Sequence, residues 1–142
     1  MIVKAYAKIN LALKVKGKNK DGYHDLDMIM LPLELHDSID ISLLPDIYET
    51  YVTCDDFSLE TGEYNLCSIA VRKMKEKFKI NKSFRIHIHK NIPIGAGLGG
   101  GSANAAAVIR AIKDLLKLHI SEEDELSIAK SIGADVPFCL YN

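Results

Sequence analysis

A glycine-rich run is the feature that most constrains how this chain can fold. Residues 93–102 read Pro-Ile-Gly-Ala-Gly-Leu-Gly-Gly-Gly-Ser and hold five of the nine glycines in the 142-residue sequence. Glycine allows positive φ and lets a ligand approach the main-chain N–H groups. The small residues that follow, over about 102–118, predict a closely packed helix. Since a loop of amides leading into a helix N-terminus binds anions, we predict a phosphate-binding loop here.

The residues around the glycines exclude some of the known classes of phosphate-binding loop. A Walker A loop needs Gly-Lys-Ser/Thr, and no lysine follows these glycines. Gly95, Gly97 and Gly100 fit the dinucleotide pattern G-x-G-x-x-G, which leaves an oxidoreductase open as an alternative. The acid that such a fold places about 20 residues on would be Asp114, which falls inside the predicted helix instead. A protein-kinase glycine loop would lie between two strands, and here a helix follows.

Hydrophobic periodicity predicts an α+β fold. An alternating pattern predicts strands at about 9–16, 28–35, 38–44, 47–53 and 83–90, and a 3.6-residue period predicts helices at about 65–79, 102–118 and 121–133. Ser121 with Asp124 resembles a capping box, and Gly133 would close the helix that it opens. Strands come mainly first and helices mainly later, which favours the α+β class.

Three details of the strands bear on a site. Ile9 and Leu11 fall on the apolar face of a half-buried first strand, so Lys8 and Asn10 share the other face. A lysine there could hold a phosphate or lower the pKa of a substrate hydroxyl. Pro32 predicts an edge or a bulge in the second strand.

The end of the sequence is also informative. The last residues, 136–140, read as an apolar strand with nothing after it, which suggests a truncated chain.

Composition excludes several classes of protein. Hydrophobic residues make up 48% of the chain, charged residues 26%, and the net charge is -1, so neither nucleic acid nor an anionic membrane is an expected partner. Cys54, Cys67 and Cys139 are odd in number and form no C-x-x-C pair, which is typical of free thiols in a reducing compartment. No basic and apolar leader opens the sequence, and no apolar run approaches the roughly 18 residues of a spanning helix. We therefore expect a cytoplasmic protein.

Four ordered segments together resemble the GHMP kinases. The glycine run fits their Pro-x-x-x-Gly-Leu-Gly-Gly-Gly-Ser-x-x-Ala motif, and the other three are Ala-Lys-Ile-Asn-Leu (7–11), Asp-Gly-Tyr-His (21–24) and Gly-Ala-Asp-Val-Pro (133–137). The Gly-Gly-Gly-Ser form resembles the branch that phosphorylates 4-diphosphocytidyl-2-C-methyl-D-erythritol, a cytidyl diphosphate sugar alcohol. The sequence departs from the family at Tyr6, where many members have proline, and at Ala103, where some have a second serine.

The resemblance implies a function and a set of site residues. It implies an ATP- and Mg²⁺-dependent kinase of small molecules, with Lys8 and Asp135 catalytic. Asn10, Tyr23, His24 and Lys90 would bind the acceptor, with Tyr23 and His24 on the cytosine. The ATP-binding loop would comprise Pro93, Ile94, Gly95, Ala96, Gly97, Leu98, Gly99, Gly100, Gly101, Ser102 and Ala103. Another GHMP kinase and a non-catalytic nucleotide-binding module are the alternatives.

The same resemblance bears on domain organisation. It implies that residues 1–142 are the N-terminal ATP-binding domain, with a two-layer arrangement of sheet and helices like that of a ribosomal protein, and that the family's C-terminal domain is missing. The chain alone would then be inactive, and its bare face could pair two copies in a homodimer.

Two histidines near the end of the last predicted strand have metal-ligating side chains. His87 and His89 share a strand face and could bind a metal ion, but no third ligand is close in the sequence. The sequence therefore predicts a solvated histidine face and no metal site.

Overall fold

The computed structural model describes residues 1–18, 24–45 and 48–141, with the backbone alone for 12–18 and 24–28. The strands are β1 (Ile2–Lys18), β2 (His24–Leu44), β3 (Tyr51–Cys54) and β4 (Ser83–His89). The helices are α1 (Leu66–Phe78), α2 (Gly100–Leu115), α3 (Glu122–Ile132) and α4 (Val136–Leu140).

The four strands form one sheet that is covered by helices on one face. Its order is β1-β2-β4-β3, in which β1 with β2 and β2 with β4 are antiparallel and β3 with β4 is parallel. Phe84, Ile86 and Ile88 alternate along β4 and are fully buried, while the intervening residues are not. The predicted two-layer α+β fold is confirmed. A doubly wound dinucleotide fold is excluded, because it requires a mainly parallel sheet with helices on both faces.

The pairing of β1 with β2 contains an irregularity that decides where Lys8 lies. Tyr6 pairs with His36, but Lys8 pairs with Pro32, so the register shifts between them. Ala7 and Lys8 are consecutive and both buried, which regular alternation would not allow. The bulge therefore turns the lysine inward.

The predicted second and third strands are one continuous strand, β2. Pro32 lies at the register shift, and the part of β2 before Ser38 pairs with β1 alone among the described strands. The predicted edge or bulge at Pro32 is thus confirmed, since proline cannot donate to a ladder. The predicted burial of Leu11 is wrong: it is 60% exposed, because this part of the β1–β2 ribbon lies beyond β4.

Side chains cap the N-termini of two helices. The side chain of Asn65 accepts a hydrogen bond from Cys67 N at 2.9 Å at the start of α1. Ser121 Oγ accepts from Asp124 N at 3.2 Å at the start of α3, which confirms that half of the predicted capping box. None of the helices in the described part of the chain is long and apolar enough to cross a membrane.

The last described element is a helix, so the predicted apolar strand at 136–140 is wrong. Val136 begins α4, and Pro137 lies in its first turn, where a missing N–H costs nothing. The preference of a residue before proline for extended backbone is therefore overridden here. Arg110 holds the helix in place, because its guanidinium donates to Cys139 O at 2.8 Å and Lys4 O at 2.9 Å.

Candidate active site

A cavity of about 440 Å³ lies against the glycine-rich loop. Every residue from Pro93 to Ser102 lines it, together with Lys90, Asn104 and a wall of residues that precede α1: Leu59, Glu60, Tyr64, Asn65 and Leu66. Ala103, which was expected to join the loop, is buried in the core and does not line the cavity. The volume is within the range of a small-molecule site.

Backbone conformation explains the glycines of this loop. Gly95, Gly97 and Gly99 all have positive φ, between 70° and 75°. Gly99 ends the loop and begins α2 without a side-chain cap, while Ala103 N donates to its carbonyl at 2.8 Å. The first N–H groups of α2 thus have no capping side chain and lie beside the cavity. Such a helix end attracts an anion.

Lys8 and Asp135 meet beside the glycine-rich loop, although neither residue lines the cavity itself. Lys8 Nζ lies 3.0 Å from Asp135 Oδ2, with the two side chains 4% and 31% exposed. The backbone of Lys8 donates to Leu98 O at 2.9 Å, and a Cβ at Gly99 would lie 2.9 Å from Cγ and Cε of Lys8. The lysine therefore packs directly against the loop, which brings the two residues predicted to be catalytic together.

Asp135 is presented by a tight turn between α3 and α4. Val136 N donates to Gly133 O at 3.2 Å, and Asp135 has helical φ and ψ without using its side chain as a cap. Its carboxylate is left for Lys8 and for solvent. A buried cation beside a partly exposed carboxylate can act on a ligand that carries both a negative charge and a hydroxyl.

Lys90 lies in a buried network and also lines the cavity. Its Nζ is 2.6 Å from Asp37 Oδ2 and donates to Ile92 O at 2.6 Å. Asp37 Oδ1 in turn accepts from Asn91 N and Ile92 N. A Cβ at Gly100 would lie 3.1 Å from Lys90 Nζ, so the ammonium group reaches the start of α2. Lys90, which was predicted to bind the substrate, therefore contacts the glycine loop and also takes part in a buried ion pair.

Sequence reasoning missed two polar residues of this region. Asp37 is fully buried, although it falls between the predicted strands at 28–35 and 38–44. Asn104 lines the cavity at 2% exposure, and its Oδ1 has no hydrogen-bond partner among the described residues. A buried acceptor without a donor is costly, so it marks a place where a ligand or water can donate.

The remaining predicted substrate residues are only partly described. Asn10 is exposed on β1, two residues beyond buried Lys8. Asp21, Gly22 and Tyr23 lie outside the described residues, and for His24 the backbone alone is described, pairing with Lys18 at the start of β2.

The histidine pair has a neighbour that the sequence did not suggest. Asp55, just after β3, offers a carboxylate oxygen within 4.8 Å of ligand nitrogens of His87 and His89. The structure thus places a third candidate ligand beside the histidines that is distant from them in the sequence.

Comparison with known proteins identifies the family. The family model described as the N-terminal domain of the GHMP kinases matches residues 65–142, which is more than half of the chain. The chain belongs to the GHMP kinases.

Comparison with individual proteins indicates which members of the family the chain resembles. The chain is 45% identical to the 4-diphosphocytidyl-2-C-methyl-D-erythritol kinase of Caldicellulosiruptor bescii and 42% identical to that of Clostridium acetobutylicum, each over 99% of the chain and 49% of the relative. A crystal structure of 4-(cytidine 5'-diphospho)-2C-methyl-D-erythritol kinase is similar with a TM-score of 0.82 and 33% identity, over 99% of this chain and 49% of that one. The chain thus spans about half the length of the curated relatives that it matches.

A more distant structure supports the fold. The mevalonate kinase of Methanococcus jannaschii matches with a TM-score of 0.75 at 17% identity, over the whole of this chain and 51% of that one.

Proposed function

We propose that this chain is the ATP-binding part of an enzyme that phosphorylates the 2-hydroxyl of 4-diphosphocytidyl-2-C-methyl-D-erythritol. The observation that carries the proposal is the Lys8–Asp135 ion pair packed against the glycine loop. The names and crystal structure of its relatives support the acceptor. By the same proposal residues 1–142 are one N-terminal domain of a cytoplasmic enzyme in isoprenoid biosynthesis.

The glycine loop would bind the phosphates of ATP. The N–H groups at the start of α2 and the positive end of its dipole suit a phosphate, and the left-handed glycines let it approach the backbone. Lys90 Nζ, paired with Asp37 and close to the start of α2, has a third N–H that can donate a hydrogen bond to a phosphate oxygen at the same place. The unpartnered Oδ1 of Asn104 offers an acceptor to an N–H or O–H of the nucleotide.

Lys8 and Asp135 would serve the transfer itself. Asp135 accepts the proton of the attacking hydroxyl, and Lys8 keeps the carboxylate oriented while its charge offsets that of the γ-phosphate. Because Lys8 is buried, its charge is screened little by water and acts strongly on a neighbouring anion. Positioning and electrostatics of this kind supply most of the catalysis in phosphoryl transfer.

The cavity also suits Mg²⁺. Glu60 and Ser102 line it and offer a carboxylate and a hydroxyl, which are oxygen ligands of the type that Mg²⁺ takes together with substrate phosphates. Bound there, Mg²⁺ would neutralise phosphate charge.

The acceptor would be recognised through its base. A flat cytosine ring suits an aromatic face and an edge partner, which Tyr23 and His24 supply by chemical type. Asn10, exposed on β1 beside the catalytic lysine, can donate and accept hydrogen bonds to the acceptor.

Two assays test the proposal. The full-length protein, given ATP and Mg²⁺, should phosphorylate the cytidyl substrate and fail on the same sugar alcohol without its cytidyl group. By the same proposal the acceptor cleft lies between this domain and a second one. The 142-residue chain alone should therefore bind ATP but form no product, because its reacting groups are exposed to water. Equal rates on both acceptors would indicate a GHMP kinase with another substrate.

A further inference from the structure

A cluster of metal-ligating side chains lies outside the cavity, on the face of the sheet that the helices leave uncovered. His87 and His89 project from the end of β4, and Asp55 follows the neighbouring strand β3. The rings of the two histidines are in edge contact, with centroids 4.6 Å apart. His89 Nδ1 lies 3.6 Å from Asp55 Oδ2, which is longer than a hydrogen bond. None of the three lines the cavity of the kinase site.

The surroundings leave one ligand atom of each residue available. Thr53 Oγ1 lies 3.3 Å from Ile86 O and 2.8 Å from His87 Nδ1. If the hydroxyl donates to that carbonyl, Nδ1 of His87 donates to the hydroxyl and the lone pair is on Nε2. This is the arrangement in which a second-shell group orients a histidine ligand.

The carboxylate of Asp55 is oriented in the same way. Its Oδ1 accepts from Lys90 N at 2.8 Å, which leaves Oδ2 directed toward His89. Arg85, on the same face of β4, is engaged by Asp40 at 3.0 Å, so its charge is largely compensated.

We propose that Asp55, His87 and His89 form a binding site for a divalent transition-metal ion of the Zn²⁺ type. Two imidazole nitrogens and one carboxylate oxygen are a ligand set that Zn²⁺ takes in proteins, with further positions open to water. The three candidate atoms lie within 4.8 Å of one another, whereas ligands on a tetrahedral Zn²⁺ are about 3.4 Å apart for bonds of about 2.1 Å. Since His89 and Asp55 are about half exposed, small side-chain rotations close that gap.

The proposed metal site lies next to the kinase cavity but is separate from it, and Lys90 connects the two. Asp55 binds the backbone of Lys90, whose side chain reaches the start of α2. The ion would fix this connection between the ends of β3 and β4.

Calorimetric titration of the purified chain with ZnCl₂, in a buffer without chelator, tests the proposal. We expect one ion per chain with a dissociation constant in the micromolar range, and a loss of at least about tenfold in affinity for His87→Ala, His89→Ala and Asp55→Asn. Co²⁺ should give the visible absorption of a site with nitrogen and oxygen ligands. His119→Ala is the matched control, because His119 is an exposed histidine outside the cluster, and it should bind as the wild type does.

Thermal unfolding separates loss of the site from loss of the fold. At the same Zn²⁺ concentration, the unfolding temperature should rise as much for His119→Ala as for the wild type, and clearly less for His89→Ala. Wild-type binding weaker than millimolar would overturn the proposal, as would cluster variants that keep their affinity. So would a Cys54→Ser variant that abolishes binding while His89→Ala retains it, since the ligand would then be the thiol.

Discussion

Lys8 Nζ and Asp135 Oδ2 lie 3.0 Å apart, although one residue belongs to the first strand and the other to the turn before the last described helix. The lysine reaches this position through the irregular pairing of β1 with β2, where the extra residues lie in β2, and Arg110 ties α4 back to β1. The pair is thus held from both sides by elements that also carry the fold. The distance between the two side chains therefore depends on tertiary contacts, and single substitutions can test each of these contacts separately.

On the proposed function, Asp135→Asn and Lys8→Ala should each lower the turnover of the full-length protein by roughly 10²–10⁴, the usual contribution of general acid–base catalysis. The physical reason is loss of the proton acceptor in the first variant and of the buried positive charge in the second. Steady-state product formation from ATP and the cytidyl substrate is the measurement, and ATP affinity should change little.

The matched control for this pair is the ion pair Lys77–Asp124, which has an Nζ–Oδ1 distance of 2.7 Å and exposed fractions of 35% and 43%. Lys77→Ala or Asp124→Asn should leave turnover within about twofold, because exposed pairs contribute little. If folded Asp135→Asn kept near-normal turnover, Asp135 could not be the group that accepts the proton of the hydroxyl.

Gly99→Ala should impair catalysis more than Gly95→Ala. Both glycines have positive φ, of 70° and 75°, so both substitutions carry a backbone cost of about 1–2 kcal/mol. A methyl group at position 95 meets nothing within 4 Å, whereas at position 99 it lies 2.9 Å from the side chain of Lys8 and must displace it. We expect turnover of Gly99→Ala to be at least about tenfold lower than that of Gly95→Ala, with similar far-ultraviolet circular dichroism. Equal turnover would show that Lys8 is free to move.

Asp37→Ala should destabilise the chain by about 3–5 kcal/mol, because it leaves the ammonium group of Lys90 and two backbone N–H groups buried without their acceptor. Lys90→Met should cost less, since Asp37 keeps its bonds to Asn91 N and Ile92 N. Urea unfolding of both variants gives the comparison. If Lys90→Met were the more destabilised, the network would depend on the ammonium group and not on the carboxylate.

The buried thiols should resist modification. Burial raises the pKa of Cys67 to about 12 and that of Cys139 to about 11, so at pH 8 less than about one molecule in a thousand carries either thiolate. Their reactivity should grow with each unit of pH up to those values. Cys54 is partly exposed and should react first with a disulfide reagent, in a phase that Cys54→Ser removes. Fast labelling of all three thiols in the folded chain would contradict the packing around α1 and α4.

The sequence by itself determined those elements whose signals are local. Helix α1, helix α3 with its Ser121 cap, and the alternation of β4 follow from residues a few positions apart, because caps and side-chain periodicity act over one or two turns. The glycine loop belongs here too, since positive φ is a property of a single residue. A resemblance between short motifs gave the family.

The tertiary structure decided everything that required two distant segments to meet. A bulge set by pairing with β2 turned Lys8 inward, and packing against α2 made 136–140 a helix although its apolar pattern also suits a strand. The same holds for Asp37 with Lys90 and for Asp55 with the two histidines. The physical reason is that strand register fixes which side chains face each other, and register depends on the whole sheet and its core, not on any short stretch of sequence.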